Sequence, residues 1–576
     1  MSSKAKMSKN ARNAKIDLRE KFGIKIPHTT KHALLLDIQN KNTRWADAIA
    51  KEMGGLDRLG VFQYFPAGTS RSKNDGWQRA PMRMIFDIKQ DGRHKARLVV
   101  GGHVIDSKDH VTYSSTIKDI SVRLLMLVGI QNGLEFMSGD IGNAFCTAPC
   151  AEKVWSVAGP EFGQREGCTV VLKRALYGLN TASRSFHEFF GDFLRSLGFE
   201  PSRADQDLWI RKSEHYNGYE YIATHVDDII IAAKKPVEIM SQIEQHFKVR
   251  DVTDSPSYYL GNDLVRVGNK IIISTKKYTA EVLRKYQSMY GDIRKESVPM
   301  RVKEHPELDT SPLLEEAKHK QYQHIIGVCQ WLIVAGRFDL CYAISSLSRF
   351  SAAPREGHLL LAIKVFGYLK KFPKRGYAIN PQPLVLGEYE EVSAIMDFGN
   401  QYSYFHEDID PRFPEPLLKE LDITIFCDSD HGHDKVTGRS ITGIFACVGS
   451  TPVMWSAKRQ ACVQTSTFGA EFTALKKAVE EAINIRYHLR SMGVKVTEAT
   501  AVYGDNMSSI INCTNPGSTL NKKHVALAYH FVREHVANKV VSVRKIHTSD
   551  NFADPFTKAL VRDEYHGFYR ECMVNG

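Results

Sequence analysis

The 576-residue sequence lacks several features that would assign a protein to a membrane or to an oxidising compartment. No apolar run reaches the roughly 18 residues that a membrane-spanning helix needs. The basic N-terminus has no apolar core of the kind found in secretory signals. Ten cysteines are scattered without a C-x-x-C pair or a paired zinc spacing. These absences predict an intracellular protein with reduced thiols, and without disulfides or structural zinc.

Charge is plentiful but unevenly distributed. The net charge of +12 suits a polyanionic partner such as nucleic acid. Residues 1–32 hold nine Lys/Arg and two acidic residues, so this segment carries more than half of the net positive charge. Such a tail either binds nucleic acid nonspecifically or is a solvated, disordered end. Residues 386–419 hold eight acidic residues and, before Lys419, only Arg412, which predicts a linker or insertion that does not contact nucleic acid.

A first group of acidic residues lies at the predicted ends of apolar strands. Asp227 and Asp228 interrupt the apolar segment 219–233, and Asp140 follows a further strand. Carboxylates on rigid elements can hold the two divalent metals that phosphoryl transfer uses. A predicted strand pair at 83–100 adds cations that could meet triphosphate oxygens: Lys89, Arg93, Lys95 and Arg97. Taken singly, the acidic pair could instead be a solvated turn, and the cations an ordinary basic hairpin face.

A second group of acidic residues lies at predicted element boundaries near the C-terminus. These are Asp428 after a strand, Glu471 at the start of a long helix, Asp505 after another strand, and Asp554 at the start of the last helix. Convergence of the four on one sheet face would cradle two metals for phosphodiester hydrolysis. Singly, Glu471 could be a first-turn acid favoured by the helix dipole, and Asp505 could be a turn former.

The order of five segments resembles the polymerase of Ty1/copia-type retrotransposons. The segments are KARLVVGGH (95–103), SGDIGNAF (138–145), LKRALYGLNTASRSFH (172–187), THVDDIII (224–231) and YYLGNDL (258–264). The resemblance implies an α/β (α+β) right-hand polymerase with fingers, a ferredoxin-like palm and a thumb. Its implied activity is RNA-directed DNA synthesis.

The same resemblance implies roles for individual residues. Asp140, Asp227 and Asp228 would bind metal and be catalytic. Phe145 would stack under the sugar and exclude a 2′-hydroxyl, while Lys95 and Arg97 would hold the triphosphate. Tyr259, Leu260 and Gly261 would form the primer grip. His225 and Thr181 depart from the commoner pattern, which has Tyr or Phe and Gln at these positions.

The C-terminal motifs resemble the ribonuclease H domain of the same elements. The matching segments are CDSD, TFGAEFTAL, YGDN and NFADPFTK, followed by STLNKKH and YHFVRE. The resemblance implies a mixed-sheet domain in which Asp428, Glu471, Asp505 and Asp554 are catalytic metal ligands, with Asp430 as an alternative to Asp428. Lys522, Lys523 and Arg533 would contact an RNA–DNA hybrid.

These observations predict six consecutive regions. They are a basic, disordered tail (1–40), a reverse transcriptase (41–300), a helical connection (301–385), an acidic linker (386–419), a ribonuclease H-like domain (420–562) and a C-terminal tail (563–576). No zinc knuckle, Asp-Thr-Gly protease motif or integrase His/Cys cluster is present. The chain is therefore expected to be a fragment, a separate reading frame or a truncated element.

The resemblance also implies partners and a location. The expected cofactor is Mg²⁺, with Mn²⁺ as a substitute, and the expected partners are an RNA template, a DNA primer, RNA–DNA hybrid and dNTPs, without a membrane. The expected location is the cytoplasm, in virus-like particles, with passage to the nucleus. One alternative is a decayed or domesticated element that binds nucleic acid without catalysis. Another is a metal-dependent nuclease alone, which would not explain the motifs between residues 83 and 264.

Overall fold

The computed structural model describes residues 20–21, 23–89, 92–386, 402, 407–515, 517–518 and 526–575. Three sequence predictions therefore fall partly or wholly outside the described residues. They concern the first 19 residues of the basic tail, most of the acidic linker, and both Lys522 and Lys523.

The helices, in chain order, are α1 (Thr30–Gln39), α2 (Arg44–Arg58), α3 (Asp119–Gln131), α4 (Ala182–Ser196), α5 (Pro236–Glu244), α6 (Lys276–Tyr290), α7 (Glu316–Val334), α8 (Cys341–Ser348), α9 (Glu356–Lys371), α10 (Thr467–Ser491), α11 (Met507–Thr514), α12 (Ala526–Ala537) and α13 (Arg562–Cys572). The strands of the first half are β1 (Glu20–Lys21), β2 (Ile24–Lys25), β3 (Phe62–Phe65), β4 (Gln78–Arg79), β5 (Met82–Ile88), β6 (His94–Val100), β7 (Glu135–Ile141), β8 (Val154–Val157), β9 (Thr169–Leu172), β10 (Glu200–Pro201), β11 (Leu208–Lys212), β12 (Tyr219–His225), β13 (Asp228–Ala233) and β14 (Val249–Thr253). Those of the second half are β15 (Tyr258–Tyr259), β16 (Asn262–Val267), β17 (Lys270–Ser274), β18 (Arg375–Ile379), β19 (Ile423–Asp430), β20 (Ile441–Val448), β21 (Thr451–Arg459), β22 (Thr500–Gly504), β23 (Val541–Lys545) and β24 (Val574–Asn575).

A six-stranded antiparallel sheet lies at the centre of the N-terminal half. Its strand order is β10-β11-β12-β13-β7-β14. Side chains alternate between the two faces of a strand, so Ile229 and Ile231 pack into one core cluster while Ile230 packs into another. Because both faces are covered, the β12–β13 hairpin is largely apolar; Asp227 and Asp228 lie at its turn, and the buried Glu220 of β12 forms an ion pair with Arg211 at 2.8 Å.

The N-terminal elements pack around a separate core. This core joins α2 to the four-stranded sheet β3-β9-β8-β4 and to the β5–β6 hairpin. The apolar positions of α2 recur at helical spacing and are buried: Trp45, Ile49, Met53 and Leu56. The strand pair expected from sequence at 83–100 is present and begins one residue earlier, at Met82.

The C-terminal half contains a mixed five-stranded sheet of order β21-β20-β19-β22-β23. Strands β19, β20 and β21 form an antiparallel meander, whereas β22 runs parallel to both β19 and β23. Helix α10 packs across β19 and β20. The carboxyl ends of the parallel strands β19 and β22 therefore meet at one edge of this sheet.

The expected C-terminal tail (563–576) is wrong. Residues 562–572 form α13, in which Tyr565 and Tyr569 are buried, and β24 pairs with β18 at the edge of the sheet β15-β16-β17-β18-β24. The expected helical connection (301–385) likewise ends in a strand, β18. The reason is that β18 and β24 complete a sheet that begins at Tyr258, far earlier in the chain, and such a pairing has no local sequence signal.

The two halves of the chain share one continuous hydrophobic core. This core includes one face of the six-stranded sheet, helices α7 to α9, and the interior of the C-terminal sheet. The Arg123 guanidinium on α3 reinforces the junction by donating to Tyr377 Oη (3.1 Å), to the carbonyl of Val453 (2.9 Å) and to the carbonyl of Val334. The Tyr221 hydroxyl on β12 donates to the Met492 carbonyl at 2.6 Å.

The expectation of a disordered tail through residue 40 is also wrong for its last part. Helix α1 spans Thr30–Gln39 and is capped by the Thr29 hydroxyl, and Ala33 and Leu36 are buried. Among the residues that the structure describes, no helix is both long and apolar enough to cross a membrane.

Candidate active sites

The first acidic group is assembled by two adjacent strands of the six-stranded sheet. Asp140 near the end of β7 and Asp228 at the start of β13 are paired across the antiparallel ladder. Asp227 lies in the preceding turn, and its carbonyl accepts from Ile141 N–H at 2.8 Å. Val226 has φ of +58°, a strained value for a β-branched residue, and it tightens the turn. All three acidic residues therefore lie at one edge of the sheet.

Mutual repulsion shapes the electrostatics of this group. Burial, followed by the charges of Asp227 and Asp140, raises the pKa of Asp228 to about 6. Burial and the charge of Asp227 also raise the pKa of Asp140. Carboxylates pushed together in this way favour a bound cation, which removes the repulsion.

A cavity of about 650 Å³ opens beside these residues. Asp140 and Asp227 line it, together with Lys95 and Arg97 from β6. Burial and the neighbouring Arg97 lower the pKa of Lys95. The Arg97 guanidinium stacks 4.0 Å from the centroid of the Tyr177 ring, which also lines the cavity. The structure thus brings the sequence-predicted cations of β6 and two of the three acidic residues around one space.

Phe145 lies next to this cavity without lining it. It is half-buried in the short 3₁₀ helix Ala144–Thr147, which follows β7. Its ring centroid is 5.3 Å from that of Tyr177 and 6.4 Å from that of Phe186. Tyr177, which the sequence reasoning did not single out, is the aromatic ring that lines the cavity.

Tyr259, Leu260 and Gly261 form a tight turn between β15 and β16. Leu260 and Gly261 both have left-handed φ values, +45° and +82°. A Cβ at Gly261 would approach the Trp331 ring to 2.4 Å, so only glycine fits this position. The buried Tyr259 hydroxyl has no hydrogen-bond partner among the described residues.

The second acidic group is more compact. Among the described residues, Asp428, Glu471 and Asp505 bring one ligand atom each within 4.8 Å of one another, whereas the trio at residues 140, 227 and 228 does not meet this limit. Asp428 lies on β19, and Asp505 directly follows β22. Glu471 projects from the second turn of α10, which begins at Thr467. The alternative that Glu471 is an acidic residue of the first helical turn is therefore wrong.

Asp554 joins this group from the 3₁₀ helix Asp554–Phe556; the expectation that it opens the last helix is wrong, because that helix is α13. Burial, followed by the charge of Asp554, raises the pKa of Asp428, and burial with Asp428 and Asp505 raises that of Glu471. The buried Asp554 Oδ1 has no hydrogen-bond partner among the described residues. A crowded set of hard oxygen donors with an orphaned oxygen fits a divalent cation such as Mg²⁺.

Neighbouring residues modify this second group. Asp430, the alternative ligand, instead faces His433, whose Nδ1 lies 2.7 Å from its Oδ2. Lys558, which sequence reasoning missed, places Nζ 2.8 Å from Asp554 Oδ2. Its spacing of four residues from Asp554 was the available signal.

The position of Arg533 does not fit a hybrid contact, so that prediction is corrected. Its side chain is 1% exposed, and its guanidinium donates to the carbonyls of Asn512 and Asn515, both at 2.8 Å. The structure therefore uses Arg533 to hold α12 against the end of α11. The positive charge of Arg533 suggested a contact with nucleic acid, but its guanidinium instead forms hydrogen bonds inside the protein.

The first acidic group lies in a part of the chain that matches a known family model. Residues 72–301 match the family model described as "Reverse transcriptase (RNA-dependent DNA polymerase)". This range contains the acidic trio and the basic hairpin, so both lie in the part of the chain that is similar to this family.

Longer matches extend the likeness to most of the chain. It is 26% identical over 548 residues to the retrovirus-related Pol polyprotein from transposon RE1 of Arabidopsis thaliana, a match that covers 93% of this chain and 34% of that protein. It is 22% identical over 545 residues to the transposon Ty1-DR1 Gag-Pol polyprotein of Saccharomyces cerevisiae, covering 91% of this chain and 28% of that protein. The chain therefore spans about a third of these curated relatives, and the resemblance to Ty1/copia-type retrotransposon Pol proteins is confirmed.

A solved structure is also similar to the chain. The foamy viral protease-reverse transcriptase dRH in complex with double-stranded DNA matches with a TM-score of 0.48 and 13% identity, covering 87% of this chain and 69% of that one.

Proposed function

We propose that the chain is an RNA-directed DNA polymerase of a Ty1/copia-type retrotransposon, with a second site that cleaves RNA in RNA–DNA hybrids. The observation that carries the polymerase proposal is the pairing of Asp140 with Asp228 beside a cavity lined by Lys95 and Arg97. The match of residues 72–301 to the reverse transcriptase family supports it.

In this proposal, the acidic trio holds Mg²⁺, with Mn²⁺ as a substitute. Bound there, such ions stabilise charge on the attacking and leaving oxygens. Lys95 and Arg97 bind the triphosphate of the incoming dNTP and offset its charge, since both line the cavity that the carboxylates share. Phe145 and Tyr177 form an aromatic pair beside the cavity and select the deoxyribose. The turn at Tyr259, Leu260 and Gly261 positions the primer.

The second site is proposed to hydrolyse the RNA strand of a hybrid. Asp428, Glu471, Asp505 and Asp554 would hold the metal that activates water and stabilises the leaving oxygen. The compact group and the orphaned Asp554 oxygen support this role. Lys522 and Lys523 remain proposed hybrid contacts outside the described residues.

Nucleotide incorporation tests the polymerase proposal directly. The purified chain, supplied with Mg²⁺ and dTTP, should extend an oligo(dT) primer on a poly(rA) template. Asp228→Asn is the matched control, because it preserves side-chain shape and removes the charge that holds metal. Extension by the wild type and not by the variant is expected. Equal extension by both proteins would contradict the proposal.

The alternative is a protein that binds nucleic acid without catalysis. It predicts retention of primer–template on the wild type with no extension at any Mg²⁺ or Mn²⁺ concentration. The presence of all seven acidic residues at two edge sites favours catalysis over this alternative.

A further inference from the structure

Helix α2 forms one wall of the cavity beside Asp140. This helix precedes the residues that match the family model. Six of its residues or of its immediate C-terminal neighbours line the cavity: Ala48, Lys51, Glu52, Gly55, Arg58 and Leu59. Their spacing of three and four places them on a single face of the helix. The buried face of the same helix carries Trp45, Ile49, Met53 and Leu56. One side of α2 is thus fixed in the core, and the other faces the cavity.

Specific contacts fix this face relative to the catalytic residues. Glu52 Oε1 accepts from Leu98 N–H at 3.2 Å, which ties α2 to the strand that carries Lys95 and Arg97. A Cβ at Gly55 would lie 3.3 Å from Asn143 Nδ2, and Asn143 follows Asp140 by three residues. Helix α2 therefore lies directly beside the segment that follows Asp140.

The charge lining the cavity indicates what this face would bind. Eight Lys/Arg side chains and four acidic side chains line the cavity, a clear cationic excess. Lys51 and Arg58 are exposed, and within the described ranges neither forms an ion pair. Exposed cations in a cationic cleft raise the local concentration of anionic ligands. Among the substrates of the proposed reaction, phosphates are the matching anions.

We propose that Lys51 and Arg58 form a second phosphate-binding wall of the polymerase cavity, distinct from the Lys95–Arg97 pair. The inference rests on the proposed polymerase function and extends it. The ligand is a phosphate, which comes either from the template strand or from the incoming triphosphate. Both residues precede residue 72, so the wall is contributed by a segment that the family match does not include.

The test compares the double variant Lys51→Ala/Arg58→Ala with Arg44→Ala. Arg44 is also exposed and opens the same helix, but it does not line the cavity. For each protein, the affinity for primer–template is measured without nucleotide across a range of salt concentrations. The KM and kcat for a single dNTP are then measured on saturating primer–template.

If the wall binds template, the double variant should bind primer–template more weakly, and the slope of log K against log salt should become shallower by about 1.4–1.8 for two lost contacts. If it binds the triphosphate, KM for dNTP should rise several-fold with kcat and primer–template affinity unchanged. Values equal to those of Arg44→Ala in both assays would overturn the inference. A wild type that binds primer–template but never extends it would instead count against the proposed polymerase, while the binding arm still tests the wall.

Discussion

At the residue scale, the second acidic group combines burial with the crowding of like charges. Asp428 is 4% exposed and Glu471 is 9% exposed, yet each lies within reach of other carboxylates. Burying several like charges is unfavourable unless protons or cations compensate. Lys558 compensates in part through Asp554. The remaining imbalance gives the site a measurable dependence on pH and on metal.

Without divalent metal, we expect Asp428 and Glu471 to lower the thermal stability increasingly as the pH rises above their unfolded pKa values. Burial and neighbouring carboxylates raise the pKa values of Asp428 and Glu471 above the unfolded value of roughly 4. The contribution of these two groups to the stability of the metal-free fold is therefore greatest below that pH and is lost as the pH rises through the raised values. Glu471→Gln should flatten this loss, and Mg²⁺ should reduce it in the wild type. Melting temperatures in EDTA and in Mg²⁺ across the pH range measure both effects.

Glu480 on the same helix provides the control. Although burial acts to raise its pKa, hydrogen bonds from Lys476 and Lys477 outweigh burial and lower it. Glu480→Gln should therefore leave the loss of stability at high pH intact. Parallel pH profiles for the wild type and Glu471→Gln would count against crowded carboxylates at the second site.

A second prediction at this scale concerns selection of the sugar. Phe145→Ala should raise the incorporation of ribonucleotides relative to deoxyribonucleotides, because the ring that packs on Tyr177 beside the cavity is lost. Single-nucleotide kinetics with rNTP and dNTP measure the ratio. Phe189→Ala is a suitable control, since Phe189 is exposed on α4 and contacts Phe247. An unchanged ratio in Phe145→Ala would show that selection depends on other residues.

At the scale of elements, the C-terminal helix and strand belong to the core and not to a tail. Tyr565 Oη donates to the Asp339 carbonyl at 2.6 Å, and the Tyr569 ring lies 6.0 Å from that of Phe338. Asp339 also forms a fully buried ion pair with Arg337 at 2.8 Å. Helix α13 therefore packs over the buried Arg337–Asp339 ion pair, which lies between α7 and α8.

Removal of the Tyr569 side chain should destabilise the whole chain. Tyr569 is 2% exposed, and replacement of a buried large aromatic by alanine costs about 3–5 kcal/mol. We expect Tyr569→Ala to lower the denaturation midpoint and both proposed activities together. Arg570→Ala, an exposed change on the same helix, should have little effect. A Tyr569→Ala protein with wild-type stability would mean that α13 is dispensable.

At the scale of the whole molecule, one core supports two separate groups of acidic residues. The acidic trio lies at the edge of the six-stranded sheet, and the compact group lies at the edge of the C-terminal sheet. Contacts such as Tyr221 with Met492 fix the halves against each other without joining the two groups of acids. Each site is therefore expected to bind its own metal.

Single substitutions should separate the two activities. Asp227→Asn should abolish DNA synthesis and leave cleavage of a preformed RNA–DNA hybrid, whereas Glu471→Gln should do the converse. Both proteins should stay folded, because neutralising one carboxylate relieves repulsion. Primer extension and hybrid cleavage, measured side by side, give the answer. Loss of both activities from either single change in a folded protein would contradict the two-site proposal.

The sequence by itself determined the elements that carry the acidic residues. The β12–β13 hairpin is largely apolar on either side of Asp227 and Asp228, and β19 and β22 end near or at acidic residues, so local patterning was sufficient. The β5–β6 hairpin was equally readable, because its alternation and turn are local.

Only the tertiary structure decided which polar residues face a cavity and which face the interior. Lys51, Arg58 and Arg533 are all cations on helices, yet the first two line the cavity beside Asp140 and the third is buried against carbonyl oxygens. Local sequence patterns likewise did not predict the pairing of β24 with β18 or the core that both halves share. The physical reason is that helical and strand periodicity arises from neighbours a few residues apart, whereas these contacts join segments far apart in the chain.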